Sequence, residues 1–174
     1  MGSPHLQLSP GAKTGFVFIC PGRFEANRGF PCAAGTGANL VRVLVQLHAL
    51  APAMFISPDR SAYVVTNSWP NVEYLALTGR SVPTEAEVLQ PDNLARLATE
   101  IAQLHVVVAC GAQAQAAVKA LSATGAINTK VALARHLSQR SVNMIPGASD
   151  TPARIRVWCE GVLAQLPHSQ SSAQ

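Results

Sequence analysis

Asn67, His136 and the glycine-punctuated run from Cys20 to Leu40 are the parts of this sequence whose residue types can do chemistry. A side-chain amide offers one acceptor and two donors, so it can read an edge that carries both a carbonyl and an N–H. An imidazole donates a hydrogen bond as a neutral ring or acts as an acid near neutral pH. The run itself, CPGRFEANRGFPCAAGTGANL, contains Gly22, Gly29, Pro31, Gly35 and Gly37, with Glu25 as its one carboxylate. A strand that had only to reach its helix would turn in about two to six residues, and this segment is far longer. Long loops at the carboxyl end of a strand are common ligand sites in α/β proteins.

The elements that must position these residues alternate. GFVFIC (15–20), SAYVVTN (61–67), HVVVACG (105–111) and KVALARH (130–136) read as strands, the first and third as unbroken apolar runs buried on both faces. Residues 36–50 repeat leucine at helical spacing, with Thr36 as the expected N-cap. Thr84-x-x-Glu87 has the form of a capping box. Asp92 is expected to cap a longer helix whose inner face is Leu94, Leu97, Ile101 and Leu104. AQAQAAVKAL (112–121) reads as an alanine-rich helix. Ser149-Asp150-Thr151-Pro152 opens a last helix with Ile155, Cys159, Val162 and Leu166 inward. The expected fold is α/β, a three-layer α/β/α domain with a central four-stranded parallel sheet.

In such a sheet the strand ends line one rim. Read in order they supply Cys20-Pro21-Gly22, Thr66-Asn67, Cys110-Gly111 and His136-Leu137-Ser138. Each has a plain structural use, since asparagine forms turns and histidine often only ends a strand. Their joint placement is what points to a site.

Composition narrows the class. The chain has 174 residues, 48% of them hydrophobic and 13% charged, which fits one globular domain. Residues 14–167 are expected to form it, with 1–13 as a disordered leader and 168–174 as a flexible tail. No apolar run approaches the roughly 18 residues of a membrane span, and MGSPHLQLSPGAK has no apolar signal core. A cytoplasmic monomer with no membrane partner is expected. The four cysteines, Cys20, Cys32, Cys110 and Cys159, form no C-x-x-C pair, so neither a zinc ribbon nor a disulfide framework is expected. The net charge of +4 permits a polyanionic partner without demanding one.

Gly35-Thr36-Gly37 before a helix suggests a dinucleotide fingerprint. Leu40 stands where its third glycine belongs, and the loop is too long for the tight turn that fingerprint needs.

Taken together the rim elements resemble the uracil-DNA glycosylase superfamily, in particular its iron–sulfur branch. Pro21-Gly22, Glu25, Gly29, Pro31, Gly35, Gly37 and Leu40 match the motif after the first strand. YVVTN (63–67) looks like the strand that ends in a base-reading asparagine. GRSVPTEAEVLQPDNLARLATEIAQLHVVVACGAQA (79–114) is similar to the helices and third strand that follow. His136-Leu137-Ser138 matches the closing His-Pro-Ser motif with Leu for Pro.

The resemblance implies a DNA glycosylase that flips uracil or a related deaminated base out of DNA and hydrolyses its N-glycosidic bond. It implies that His136 stabilises the departing base and that Asn67 reads it. Ile19, Pro21, Gly22, Cys32 and Phe30 would line the base pocket. Ser138, Arg140 and Gly35 would contact DNA, while Cys20 and Glu25 are the candidates nearest the attacking water.

Three departures accompany the likeness. The ligand cysteines of the branch are absent, so no metal and no cofactor are expected. Cys32 replaces an aromatic that stacks on the base, with Phe24 or Phe30 as substitutes. Ile19-Cys20 replace the acidic or amide water-activating position, which leaves a damaged-DNA reader of weak or no activity as the alternative.

Overall fold

The computed structural model describes residues 2–166. In chain order its elements are β1 (Leu6–Gln7), β2 (Thr14–Phe18), α1 (Arg23–Arg28), α2 (Gly35–Leu50), β3 (Val64–Asn67), α3 (Leu75–Thr78), α4 (Glu85–Val88), α5 (Pro91–Ile101), β4 (Val106–Cys110), α6 (Ala112–Ala123), β5 (Lys130–Ala134), α7 (Gln139–Asn143) and α8 (Thr151–Leu163).

The fold is α/β, and its sheet has five strands in the order β1-β3-β2-β4-β5. Strands β3, β2, β4 and β5 run parallel, while β1 pairs antiparallel with β3. The expected four-stranded parallel sheet is therefore corrected to a mixed one. The extra strand lies in the segment expected to be a disordered leader. Two paired residues between Pro4 and Pro10 leave no periodic pattern to read, and only the partner edge of β3 makes them a strand. The expected tail, 168–174, lies outside the described residues.

Strand pleating divides the core in two. Phe16, Phe18, Val65, Val108 and Cys110 face α2 and α8, where Leu40, Leu44, Leu47, Ile155, Trp158 and Cys159 complete one cluster. Val17, Val64, Val107 and Ala109 face α5 and α6, with Leu97, Ile101, Ala117 and Val118. The sheet is thus covered on both faces, which explains why β2 and β4 are buried at every position.

Capping follows local chemistry. Thr84 accepts the Glu87 N–H and Glu87 reaches back, the expected capping box. Asp150 accepts the Ala153 N–H at the start of α8. Two caps differ from expectation. Helix α2 begins at Gly35 after Ala34, so Thr36 is inside its first turn, and α5 begins at Pro91 after Gln90, so Asp92 is too. The short helices α1, α3 and α7 were not legible, because four to six residues are too few to show a period. No helix among the described residues is long and apolar enough to cross a membrane.

Candidate active site

The carboxyl ends of the parallel strands meet as expected. Phe18 and Asn67 are register partners at the ends of β2 and β3, and the pleat places Asn67 on the α2 face with Val65 and Phe18. His136, two residues beyond β5, sets its ring edge-on to Phe18, with centroids 5.7 Å apart and planes at 83°. The Ser138 N–H donates to His136 Nδ1 at 3.0 Å. In the neutral ring the proton is therefore on Nε2, which is left as a donor. Burial pushes the His136 pKa below its ordinary value, against a smaller opposing pull from the Glu25 charge.

The segment around His136 is fixed from several sides. Asn39, buried in α2, donates from Nδ2 to the Leu137 carbonyl at 3.0 Å, and Trp158 Nε1–H donates to the Arg135 carbonyl at 2.9 Å. Leu137, where the resembled motif has proline, is fully buried. Gly111 has φ +99°, and a methyl group there would lie 2.8 Å from the Ile19 side chain and 3.3 Å from His136 Cβ. Ile19, Gly111 and His136 thus close on one spot, where the positive φ of residue 111 favours glycine.

The glycine loop is built rather than loose. Glu25 accepts the Gly22 N–H on Oε2 at 3.0 Å and the Ala33 N–H on Oε1 at 2.9 Å, tying the two ends of the loop. Arg28 donates to the Ala33 carbonyl. Arg60 donates to the carbonyls of Pro31 at 2.8 Å and Cys32 at 3.2 Å, and its guanidinium lies 5.5 Å from the Phe30 ring centre. Cys32 is buried at φ +51°, a conformation few side chains adopt. Its carbonyl needs Gly37 beneath it, since a methyl there would sit 1.9 Å from that oxygen.

These contacts assign the loop residues. Both Glu25 oxygens hold backbone, so the carboxylate acts first as a clamp. Phe30 and Phe24 are 41% and 56% exposed, and one face of Phe30 is taken by Arg60. Cys20 donates weakly to the Ser81 carbonyl at 3.6 Å. Burial, then the charges of Glu73 and Glu25, push the Cys20 thiol up to about 12. The Cys32 thiol is also pushed well up by burial. Both remain thiols at neutral pH and cannot act as bases. Pro21 is buried and Gly22 half-buried between them.

Asn67 is 2% exposed. Its Nδ2 donates to the His5 carbonyl at 3.3 Å, and its own carbonyl accepts from Arg96 at 3.0 Å. Asn93 donates to the Ser68 carbonyl at 2.8 Å. The turn after β3 is also stitched to the one after β2, because the Ser68 and Trp69 N–H groups donate to the carbonyls of Phe18 and Ile19. Buried Glu73 anchors the outer part of this turn, and Arg80 holds its carboxyl down to about 2.

The proposed DNA contacts lie at the surface. Arg140 is exposed on α7 and Gly35 is exposed at the start of α2. The Ser138 hydroxyl accepts the Ser141 N–H at 3.3 Å as the cap of α7. At the rim Ile19, Gly111 and His136 close on one spot, His136 packs on Phe18, the register partner of Asn67, and the charge of Glu25 reaches His136 and Cys20. Asn39, Arg60, Asn93 and Arg96 do much of the holding and were not anticipated. Of these only Arg96 had a sequence signal, its i,i+4 spacing to Glu100.

No protein-family model matches this chain, and no curated protein matches it.

Proposed function

We propose that this protein is a DNA glycosylase that removes uracil or a related deaminated base, with a fold of the uracil-DNA glycosylase kind. The observation that carries the reading is the state of His136: a half-buried, neutral ring whose Nδ1 is engaged by the Ser138 N–H, which leaves an Nε2–H donor beside the strand ends. Breaking an N-glycosidic bond puts negative charge on the departing base. A preorganised donor aimed at that charge is worth about 3–4 kcal/mol. Asn67, on the same face, carries the acceptor and donor that match the N–H and carbonyl edge of uracil. Arg140 and the amides of residues 136–143 would hold the backbone of a flipped nucleotide.

A second reading has its own support. Cys20 stays a thiol and both Glu25 oxygens are engaged, so no free base stands ready to activate water. This favours a slow, dissociative cleavage or a protein that reads damaged DNA without cutting it.

The deciding experiment incubates the protein with labelled single- and double-stranded oligonucleotides containing uracil, hypoxanthine or xanthine. Alkaline cleavage then reveals abasic sites. Cleavage that disappears in His136→Ala supports the enzyme. Damage-selective binding without cleavage supports the reader. Neither binding nor cleavage sinks both.

A further inference from the structure

We propose that residues 2–13 form a strap that sets base specificity, by locking the Asn67 amide through the His5 carbonyl in the orientation that accepts uracil and rejects cytosine. The inference rests on the glycosylase reading above and adds to it the reason for its selectivity.

The strap runs along the edge of β3 as β1. Leu6 pairs with Thr66 and Gln7 with Val65, so His5 falls opposite Asn67. A carbonyl oxygen can only accept, so the Asn67 atom facing His5 must be the nitrogen, as it is at 3.3 Å. Turning the amide over would set two acceptors against each other. Among the described residues the Asn67 side chain makes no other hydrogen bond, so its remaining Nδ2–H and its Oδ1 would meet a base brought against them in a fixed order. Uracil offers a carbonyl beside a ring N–H, which this order satisfies, and hypoxanthine offers the same pair. Cytosine offers an amino group beside a bare ring nitrogen, which only the turned amide could satisfy. Cytosine is abundant in undamaged DNA, so an unlocked asparagine would discriminate poorly.

The strap is itself fastened to both sides of the candidate site. Gln7 donates to the carbonyls of Arg60 at 2.9 Å and Tyr63 at 3.2 Å and accepts from Arg60 Nε at 3.1 Å. The same Arg60 holds the Pro31 and Cys32 carbonyls of the glycine loop. The His5 ring lies 3.3 Å from Glu100, whose carboxylate also accepts from Thr66 and from Arg96. Arg96 in turn holds the Asn67 carbonyl. The Asn67 side chain and main chain are both tied to the strap.

The test compares the full chain, a deletion of residues 2–10, and Gln7→Ala. It measures affinity for single-stranded oligonucleotides with one 2′-fluoro-2′-deoxyuridine or one 2′-fluoro-2′-deoxycytidine, which resist cleavage. Losing one fixing hydrogen bond is expected to lower the uracil-to-cytosine ratio about tenfold in the deletion, with a smaller fall in Gln7→Ala. In an Asn67→Ala background the deletion should change the ratio no further, which a merely structural strap would not predict. Should the deletion fail to melt cooperatively, Gln7→Ala decides alone. A folded strap variant that keeps the full-chain ratio overturns the inference and leaves the glycosylase reading standing. A full chain with no preference for uracil overturns both.

Discussion

His136 Nδ1 accepts the Ser138 N–H at 3.0 Å, and this one bond decides which nitrogen of the ring carries the proton. Protonating Nδ1 would break it and would place charge on a half-buried ring. Burial accordingly keeps the folded-state pKa of His136 below the ordinary 6.5. The unfolded chain then takes up a proton at a pH where the folded chain refuses it. Stability should therefore fall as pH drops below about 6.5, until the folded ring itself titrates. Chemical denaturation at several pH values from about 5 to 8 measures this, and His136→Gln should flatten the slope in that window.

Under the glycosylase reading, Glu25 provides the sharpest test of how water would be activated. A clamp and a general base predict different outcomes for Glu25→Gln. The amide keeps an acceptor for one of the two N–H groups and loses the other, at a cost of about 1–3 kcal/mol in stability. If holding Gly22 and Ala33 is its role, the single-turnover rate of the folded variant should change only severalfold. A general base contributes about 10² to 10⁴, so a loss of that size in a stably folded variant would return Glu25 to the chemistry.

Much of the fold was legible because its signals are local or periodic. The apolar runs of β2 and β4, the Thr84–Glu87 box and the inner face of α8 each follow from a few neighbouring residues. The rim was legible for the same reason, since strand ends are marked by where apolar runs stop. What holds the rim is not local. Asn39 reaches Leu137 across 98 positions, Arg60 reaches Pro31 across 29, and the Asn67 side chain reaches His5 across 62. No pattern within a window of sequence marks such pairs. Strand β1 failed for a related reason, because two residues become a strand only when an edge is there to receive them.

Arg140 separates affinity from chemistry. It is exposed on α7 and forms no ion pair among the described residues, as fits a phosphate contact. Arg140→Ala should weaken DNA binding alike on every sequence, and reduce the slope of log affinity against log salt by about one. Fluorescence anisotropy across a salt series measures both. A variant with an unchanged slope would place the phosphate contacts elsewhere.

The last prediction separates enzyme from reader at His136. If its Nε2–H meets the charge that develops on the departing base, His136→Ala should lower single-turnover cleavage by about 10² to 10³. Affinity for a non-cleavable uracil analogue should change much less, because the hydrogen bond strengthens mainly as charge builds in the transition state. A histidine that serves only to pack on Phe18 and receive the Ser138 N–H predicts a different pattern. Its loss would lower the melting temperature and leave the rate of the folded fraction intact. His136→Gln sharpens the choice, since its side chain amide can replace part of the hydrogen bonding without the ring. Rate recovery with Gln in a stably folded protein would point to hydrogen-bond donation, and stability recovery without rate would point to packing. Single-turnover rates measured beside thermal melts on the same preparations distinguish the two.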